Sequence, residues 1–132
     1  MRERLLETTA SFVIVRKPGK GWDMRWYRKL YMGPNAEHNI SIIREKADAG
    51  FGMVSVYYIT LSSAPGNLLD IFHNGMLKNP LFVKNQCMDV VGVAQGRQEA
   101  RDLAGTILLD LYSRTGGFDV RSFFKDQDFK AD

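Results

Sequence analysis

The fold class is decided by the stretch Val54-Ser55-Val56-Tyr57-Tyr58-Ile59-Thr60-Leu61, which leads into the loop Ser62-Ser63-Ala64-Pro65-Gly66-Asn67. A second stretch, Asp89-Val90-Val91-Gly92-Val93-Ala94, leads in the same way into Gln95-Gly96-Arg97. Each passes from an apolar run into a loop of small and polar residues, and a helical pattern follows. Strands that alternate with helices are typical of α/β proteins. The sequence therefore predicts an α/β fold.

Three segments around these strands have helical periodicity. Residues 37–47 place one apolar stripe among charged residues, and a second helix is predicted from Pro65 or Gly66 to residue 77, ended by Asn79-Pro80. Residues 97–113 follow the three-and-four rhythm most regularly, and a stop at 115–117 contains two glycines.

The N-terminal region favours a β-hairpin. Residues 11–15 are rich in β-branched side chains, residues 18–21 are turn formers, and residues 22–32 alternate as a half-buried strand does. A short helix from Asp23, ended by Gly33-Pro34, is the alternative, because three apolar side chains in this segment also lie four residues apart. The alternation favours the strand.

These elements predict the order β-β-α-β-α-β-α in one domain, residues 1–124. We expect a mixed sheet packed by three helices, with the hairpin at an edge. The two central strands, 53–61 and 87–94, are expected to be parallel neighbours, because strands joined through helices usually are. Residues 118–124 are expected to form a short strand or turn, and residues 125–132 a charged, frayed C-terminal tail.

Composition limits the class of protein. The 132 residues are 45% apolar and 25% charged, as in an ordinary globular domain, and the single cysteine, Cys87, excludes an intrachain disulfide. The first residues fit neither a signal peptide nor a spanning helix, which predicts a cytoplasmic protein without membrane contact. No cofactor motif or metal-ligand spacing is present, so neither a cofactor nor a metal is expected.

The loops that follow the two central strands are the first candidate site. If the strands were parallel neighbours, both loops would open on one edge of the sheet, where backbone N–H groups and an arginine can hold an anion or a nucleotide. Helix capping and tight turns use the same residue types, so this is a hypothesis about a composite pocket. Its residues are Ser62, Ser63, Gly66, Asn67, Gly96 and Arg97.

The basic and aromatic hairpin is the second candidate. Six bases and one acid lie between residues 16 and 29. Bases attract phosphates and exposed rings stack on the bases of a single strand, although lysine-rich edges also serve to prevent unwanted strand pairing. The residues of this surface for a nucleic acid or a partner are Arg16, Lys17, Lys20, Trp22, Arg25, Tyr27, Lys29 and Tyr31.

No catalytic residue is predicted. Cys87 lies in an expected buried strand, and Asp70 and His73, three residues apart on a predicted helix, are more typical of a surface hydrogen bond than of an acid–base pair. Asp89 lies in an apolar strand, where burying an unpaired carboxylate would be costly. We therefore expect it to face a base or a helix N-terminus, or to lie at the solvent-exposed start of the strand.

The sequence thus favours a non-enzymatic interaction or accessory domain that self-associates, with a second copy or another protein as its partner. An anion- or nucleotide-binding domain that uses residues 62–67 and 95–97 is one alternative. Single-stranded nucleic-acid binding by residues 16–31 is the other.

Overall fold

The computed structural model describes residues 24–49, 55–64 and 66–131. Within these ranges five strands form one sheet: β1 (Arg25–Met32), β2 (Val56–Leu61), β3 (Leu69–His73), β4 (Asp89–Gln95) and β5 (Phe129–Ala131). Their order across the sheet is β3-β2-β4-β1-β5. β1 is parallel to β4, and the other neighbouring pairs are antiparallel. The predicted α/β class and mixed sheet are confirmed.

Helices cover both faces of the sheet. They are α1 (Pro34–His38), α2 (Ile40–Asp48), α3 (Pro80–Asn85), α4 (Arg97–Thr115) and α5 (Val120–Phe123), with short 3-10 turns at Asn74–Lys78 and Asp126–Asp128. The helices predicted at residues 37–47 and 97–113 are confirmed, the first as two short helices. α4 ends at Gly116, which adopts a left-handed conformation with a φ of 78°. Nowhere in the described ranges does a helix have both the length and the apolar character needed to cross a membrane.

The core has two halves, one on each face of the sheet. α1, α2 and the 3-10 turn before α3 cover the half built on Met24, Trp26, Ala36, Ile43, Ala47, Val56, Tyr58, Phe72, Leu77, Met88, Val90 and Val93. α4 and α5 cover the half built on Ile59, Leu61, Val91, Ala94, Ala100, Leu103, Ile107, Leu111, Val120, Phe124 and Phe129. β2 and β4 are therefore buried on both faces, as their continuous apolar sequences predict.

An irregularity in β4 brings α4 close to the sheet. Ile59 pairs with Gly92 but Thr60 pairs with Val90, so β4 carries one extra residue at this point. A Cβ on Gly92 would lie 3.1 Å from a methyl carbon of Ile107. Position 92 is therefore a glycine because side chains of α4 pack directly against the backbone of β4 there.

The central strands are neighbours but not parallel, and this expectation is wrong. Val56 pairs with Gln95 and Tyr58 with Val93, so β2 and β4 run in opposite directions. The reason is that β2 turns directly into β3, and it is β3 that connects through α3 to β4. The crossover rule therefore applies to β3 and β4, which run in the same direction on either side of β2.

The helix predicted from Pro65 or Gly66 to residue 77 is also wrong. Leu69–His73 is strand β3, paired with β2 over five consecutive residues. A short apolar run is compatible with a strand or a helix, and here pairing in the sheet decides. Asn79-Pro80 begins a helix rather than ending one, since Asn79 Oδ1 accepts hydrogen bonds from the first turn of α3 at 3.0 and 3.2 Å.

Only the return strand of the predicted hairpin can be compared with the structure. β1 is a strand, which excludes the helical alternative, whereas residues 11–15 and 18–21 lie outside the described residues. The expected position at the sheet edge is wrong, because β1 lies between β4 and β5. Its register shifts between Trp26 and Tyr31, and Arg28 and Lys29 are exposed there.

The end of the chain is part of the sheet. Residues 118–124 contain α5 instead of a strand. Residues 125–132, expected to be a frayed tail, contribute β5, whose residues pair with Arg25–Tyr27 of β1. Arg25 also forms a 2.8 Å ion pair with Asp126. Contacts that are distant in sequence thus order a segment whose composition alone resembles a tail.

Two tyrosine hydroxyls should respond in opposite ways to replacement by phenylalanine. Tyr58 is fully buried, its hydroxyl has no hydrogen-bond partner among the described residues, and burial raises its pKa. Tyr31 donates a hydrogen bond to Asp110. We expect Tyr58→Phe to stabilise the protein by about 1 kcal/mol and Tyr31→Phe to destabilise it by about 1 kcal/mol. Urea unfolding measures both values, and a loss of stability in Tyr58→Phe would contradict the prediction.

Candidate functional site

The two loops of the predicted composite pocket lie at opposite ends of the sheet. Because β2 and β4 are antiparallel, the loop after Leu61 is at the end where β4 begins, and Gly96 is at the end where β2 begins. The Gly96 N–H donates to the Ser55 carbonyl at 2.7 Å, which marks this second end. One site that joins residues 62–67 to Gly96 and Arg97 is therefore excluded.

The loop after β2 forms a cleft with α5 instead. This cleft has a volume of about 310 Å³ and is lined by Ser62, Ser63, Ala64, Gly66, Asn67, Val120 and Arg121. Arg121 Nη2 donates to the Ser62 carbonyl oxygen at 2.9 Å. The structure thus brings four of the predicted residues together and supplies a different arginine from the one predicted. No local signal in the sequence identifies Arg121, which is far from the loop along the chain.

Hydrogen bonds within the loop hold its shape. Ser62 Oγ donates to the Ala64 carbonyl and accepts from the Ala64 N–H, both at 3.0 Å. The Ser63 N–H and hydroxyl donate to Asp70 Oδ2 at 3.1 and 3.2 Å. The loop is therefore tied to the first residues of β3.

Gln86 completes this polar cluster below the loop. Its side-chain amide donates to Thr60 Oγ1 and to Asp70 Oδ2, each at 3.0 Å. Thr60 is fully buried, and this bond gives its hydroxyl oxygen a donor. Burial raises the pKa of Asp70, but its hydrogen bonds outweigh burial and the net shift is downward. Asp70 is thus held as a carboxylate.

Asp70 and His73 do not form an acid–base pair. Both lie on strand β3 three residues apart, so their side chains point to opposite faces. His73 Nδ1 accepts from the Gly75 N–H at 3.0 Å, and its ring packs on Tyr57. The prediction assumed that these two residues lie on a helix, whereas they lie on a strand.

The other end of the sheet is organised by Glu99. Its carboxylate accepts from the N–H groups of Asn35, Ala36 and Gln95 at 3.3, 3.2 and 2.9 Å, and from the Asn35 side chain at 2.8 Å. A Cβ on Gly33 would lie 2.1 Å from Glu99 Oε2. The carboxylate therefore occupies the start of α1, a role that the sequence analysis did not predict.

Three of the four described residues of the predicted basic and aromatic surface make internal contacts. Arg25 forms a bidentate pair with Asp89 at 2.8 and 2.9 Å, which satisfies the carboxylate that the sequence places in an apolar strand. The rings of Tyr27 and Tyr31 pack against Phe124. Both rings are partly buried against the half of the core that contains Phe124.

Of the remaining residues of that surface, one lies within the described ranges. Lys29 is exposed. Four residues of the hypothesis, Arg16, Lys17, Lys20 and Trp22, lie outside the described residues.

Two observations concern metal ligands and the cysteine. The described ranges contain no group of three or more residues suited to hold a metal ion. Cys87 is half-buried, and burial raises the pKa of its thiol, which disfavours the reactive thiolate.

β3 is the surface feature that the sequence analysis missed. It lies at one edge of the sheet, and nothing in the described part of the chain pairs with its outer side. Its central residue, Ile71, is 43% exposed. On the face opposite α4, Phe72 packs against Phe82 with a ring distance of 5.0 Å. Beside this contact is an open depression of about 410 Å³, lined by Ser63, Met76, Asn79, Leu81, Phe82, Asn85 and Gln86.

Comparisons with protein-family models, with curated proteins and with solved structures gave no match.

Because Gly33 and Glu99 are in contact, substitutions at these two residues should have non-additive effects on the free energy of unfolding. Glu99→Ala leaves the start of α1 without its acceptor, and Gly33→Ala displaces the same carboxylate. We expect each variant to lose about 2 kcal/mol of unfolding free energy, and the double variant to lose little more than either. Urea unfolding of the four proteins measures this, with Glu45→Ala on the exposed face of α2 as a control near zero. If the losses of the two single variants added up in the double variant, the two residues would not act through the same contact.

The same carboxylate should make stability depend on pH. Burial raises the pKa of Glu99, but its N–H donors outweigh burial and the net shift is downward. Its contribution is therefore present above the pKa of an unfolded glutamate, about 4.3, and is lost as the pH falls through the lower folded value. The difference in stability between the wild type and Glu99→Ala should shrink over that acid range. A constant difference would contradict the assignment.

Proposed function

We propose that this chain is a non-enzymatic interaction domain that self-associates, and that two copies pair along the edges of β3. The observation that carries the proposal is the open, regular outer edge of this strand. In the described part of the chain that edge has no partner. An unpaired edge presents a row of N–H and C=O groups that another strand can satisfy.

The edge has no lysine, proline or bulge to prevent such pairing, and Asp70 is the one acidic residue on it. Proteins blunt exposed edges with lysine, proline, bulges or very short strands. β3 consists of Leu-Asp-Ile-Phe-His, and its register with β2 has no irregularity over the whole strand. At the other edge of the sheet, by contrast, β5 has three residues. The longer of the two edge strands is β3.

A second copy fits this edge because β3 is compatible with itself. In antiparallel pairing about a two-fold axis at Ile71, that residue faces its own copy. Leu69 then faces His73, and Asp70 faces Phe72. No pair of like charges lies directly opposite, and such pairs would be destabilising. A two-fold contact of this kind is the commonest interface of homo-oligomers.

The surface beside the edge adds apolar area. Leu81 is 71% exposed and lines the depression. Two other lining residues contact β3, since Phe82 packs on Phe72 and Gln86 donates to Asp70. Side chains of the second copy would cover this surface when the edges pair. Burial of apolar area would then add to the hydrogen bonds of the strands.

Light scattering and sedimentation at tens of micromolar test the proposal. We expect the wild type to be a dimer. Ile71→Lys places two like charges at the axis and should weaken association by about a hundredfold or more. Leu109→Lys is the matched control, because Leu109 is 72% exposed on the outer face of α4. It should leave the dimer intact.

Hydrogen exchange of the wild type gives a second readout that does not depend on a variant. Dilution from the dimer to the monomer should accelerate exchange at outward-facing amides of β3 and leave α4 unchanged. A monomeric wild type, or a dimer that Leu109→Lys disrupts and Ile71→Lys does not, would disprove the interface.

A further inference from the structure

We propose that the cleft between the β2–β3 loop and α5 binds the oxyanion of a small metabolite, a phosphate or a carboxylate, with Arg121 as its anchor. The inference does not depend on the proposed self-association. It uses the loop of the hairpin and α5, whereas the dimer uses the outer edge of β3.

Arg121 is held at the cleft with donors to spare. Its Nη2 is fixed by the 2.9 Å bond to the Ser62 carbonyl, and a further contact is made with the Cys87 thiol. A guanidinium carries five N–H donors, so others stay available. No carboxylate in the described part of the chain is within ion-pair distance of Arg121. Among the described residues, its charge therefore has no carboxylate as a direct partner.

The loop supplies further donors. The N–H of Gly66 and the side-chain amide of Asn67 have no hydrogen-bond partner among the described residues. Gly66 adopts a φ of 91°, and a Cβ added there would meet no atom within 4 Å. A ligand can therefore approach the backbone at this point, which glycine allows.

The carboxylate that the loop contacts already has hydrogen-bond donors. Asp70 accepts hydrogen bonds from Ser63 and from Gln86, which are in the polar cluster below the loop. These donors compensate part of its charge. The cluster also makes the Ser63 donors unavailable to a ligand, so the expected contacts are Arg121, Gly66 and Asn67.

The size of the cleft indicates the class of ligand. Its volume of about 310 Å³ is near the lower end of the range for small-molecule sites. The cleft fits a small phosphorylated or carboxylated metabolite, bound by a bidentate arginine contact of the kind that favours both groups.

NMR titration of the ¹⁵N-labelled full chain tests the site, with inorganic phosphate and acetate as separate probes at constant ionic strength and pH. We expect saturable shifts at the amides of Gly66 and Asn67. Shifts with phosphate alone assign the site to phosphate, and shifts with both probes assign it to oxyanions in general. No saturable shift with either probe would overturn the proposal.

Variants identify the residue responsible. Arg121→Gln should weaken binding at least about tenfold through loss of a charge-assisted contact. Arg101→Gln, at an exposed arginine of α4, should leave binding unchanged. Asn67→Ala keeps the bond between Arg121 and Ser62 and should weaken binding by a smaller factor, which guards against a folding defect in Arg121→Gln. Equal binding by the wild type, Arg121→Gln and Asn67→Ala would reject the site.

Discussion

The antiparallel pairing of β2 with β4 is the constraint on which the rest of the molecule depends. It joins the two strands that are buried on both faces, and it decides which loops share an end of the sheet. One end brings the loop after β2 together with Arg121 and the start of β4. The other end brings Gly96 to the start of β2. With parallel strands these loops would meet, and the molecule would have one polar end with a composite pocket instead of two ends with different chemistry.

Charged groups at both ends of the sheet hold α1 and β5 against the central strands. Glu99 ties the start of α1 to the end of β4 through backbone donors. At the opposite end Arg25 bridges Asp89, at the start of β4, and Asp126, just before β5. Glu99, Arg25 and Asp89 are partly buried and hydrogen-bonded, so they contribute more than isolated surface pairs do, whereas Asp126 is exposed. Both sets connect residues that are far apart in the sequence, and each holds a short element that has little packing of its own.

Periodicity was sufficient to predict the α/β class, the helix at residues 97–113 and the strands β2 and β4, because each has a long or strongly apolar pattern. It failed at residues 65–77, where a short apolar run fits a strand as well as a helix and only pairing with β2 decides. That single error also reversed the expected direction of β4 relative to β2. Arg121 could not be predicted for a different reason, since its place beside Ser62 arises from the return of the chain after α4 and leaves no local pattern.

Both proposals concern the β2–β3 hairpin, and its internal bonding explains why. The loop is fixed by Ser63 and Gln86 through Asp70, which is itself the second residue of β3. The same contacts therefore order the cleft and the beginning of the edge strand. An edge or a cleft that is already ordered loses less conformational entropy when it binds than a flexible one does. The polar cluster below the loop thus preorganises two surfaces at once, and its side chains contribute to binding without contacting either partner.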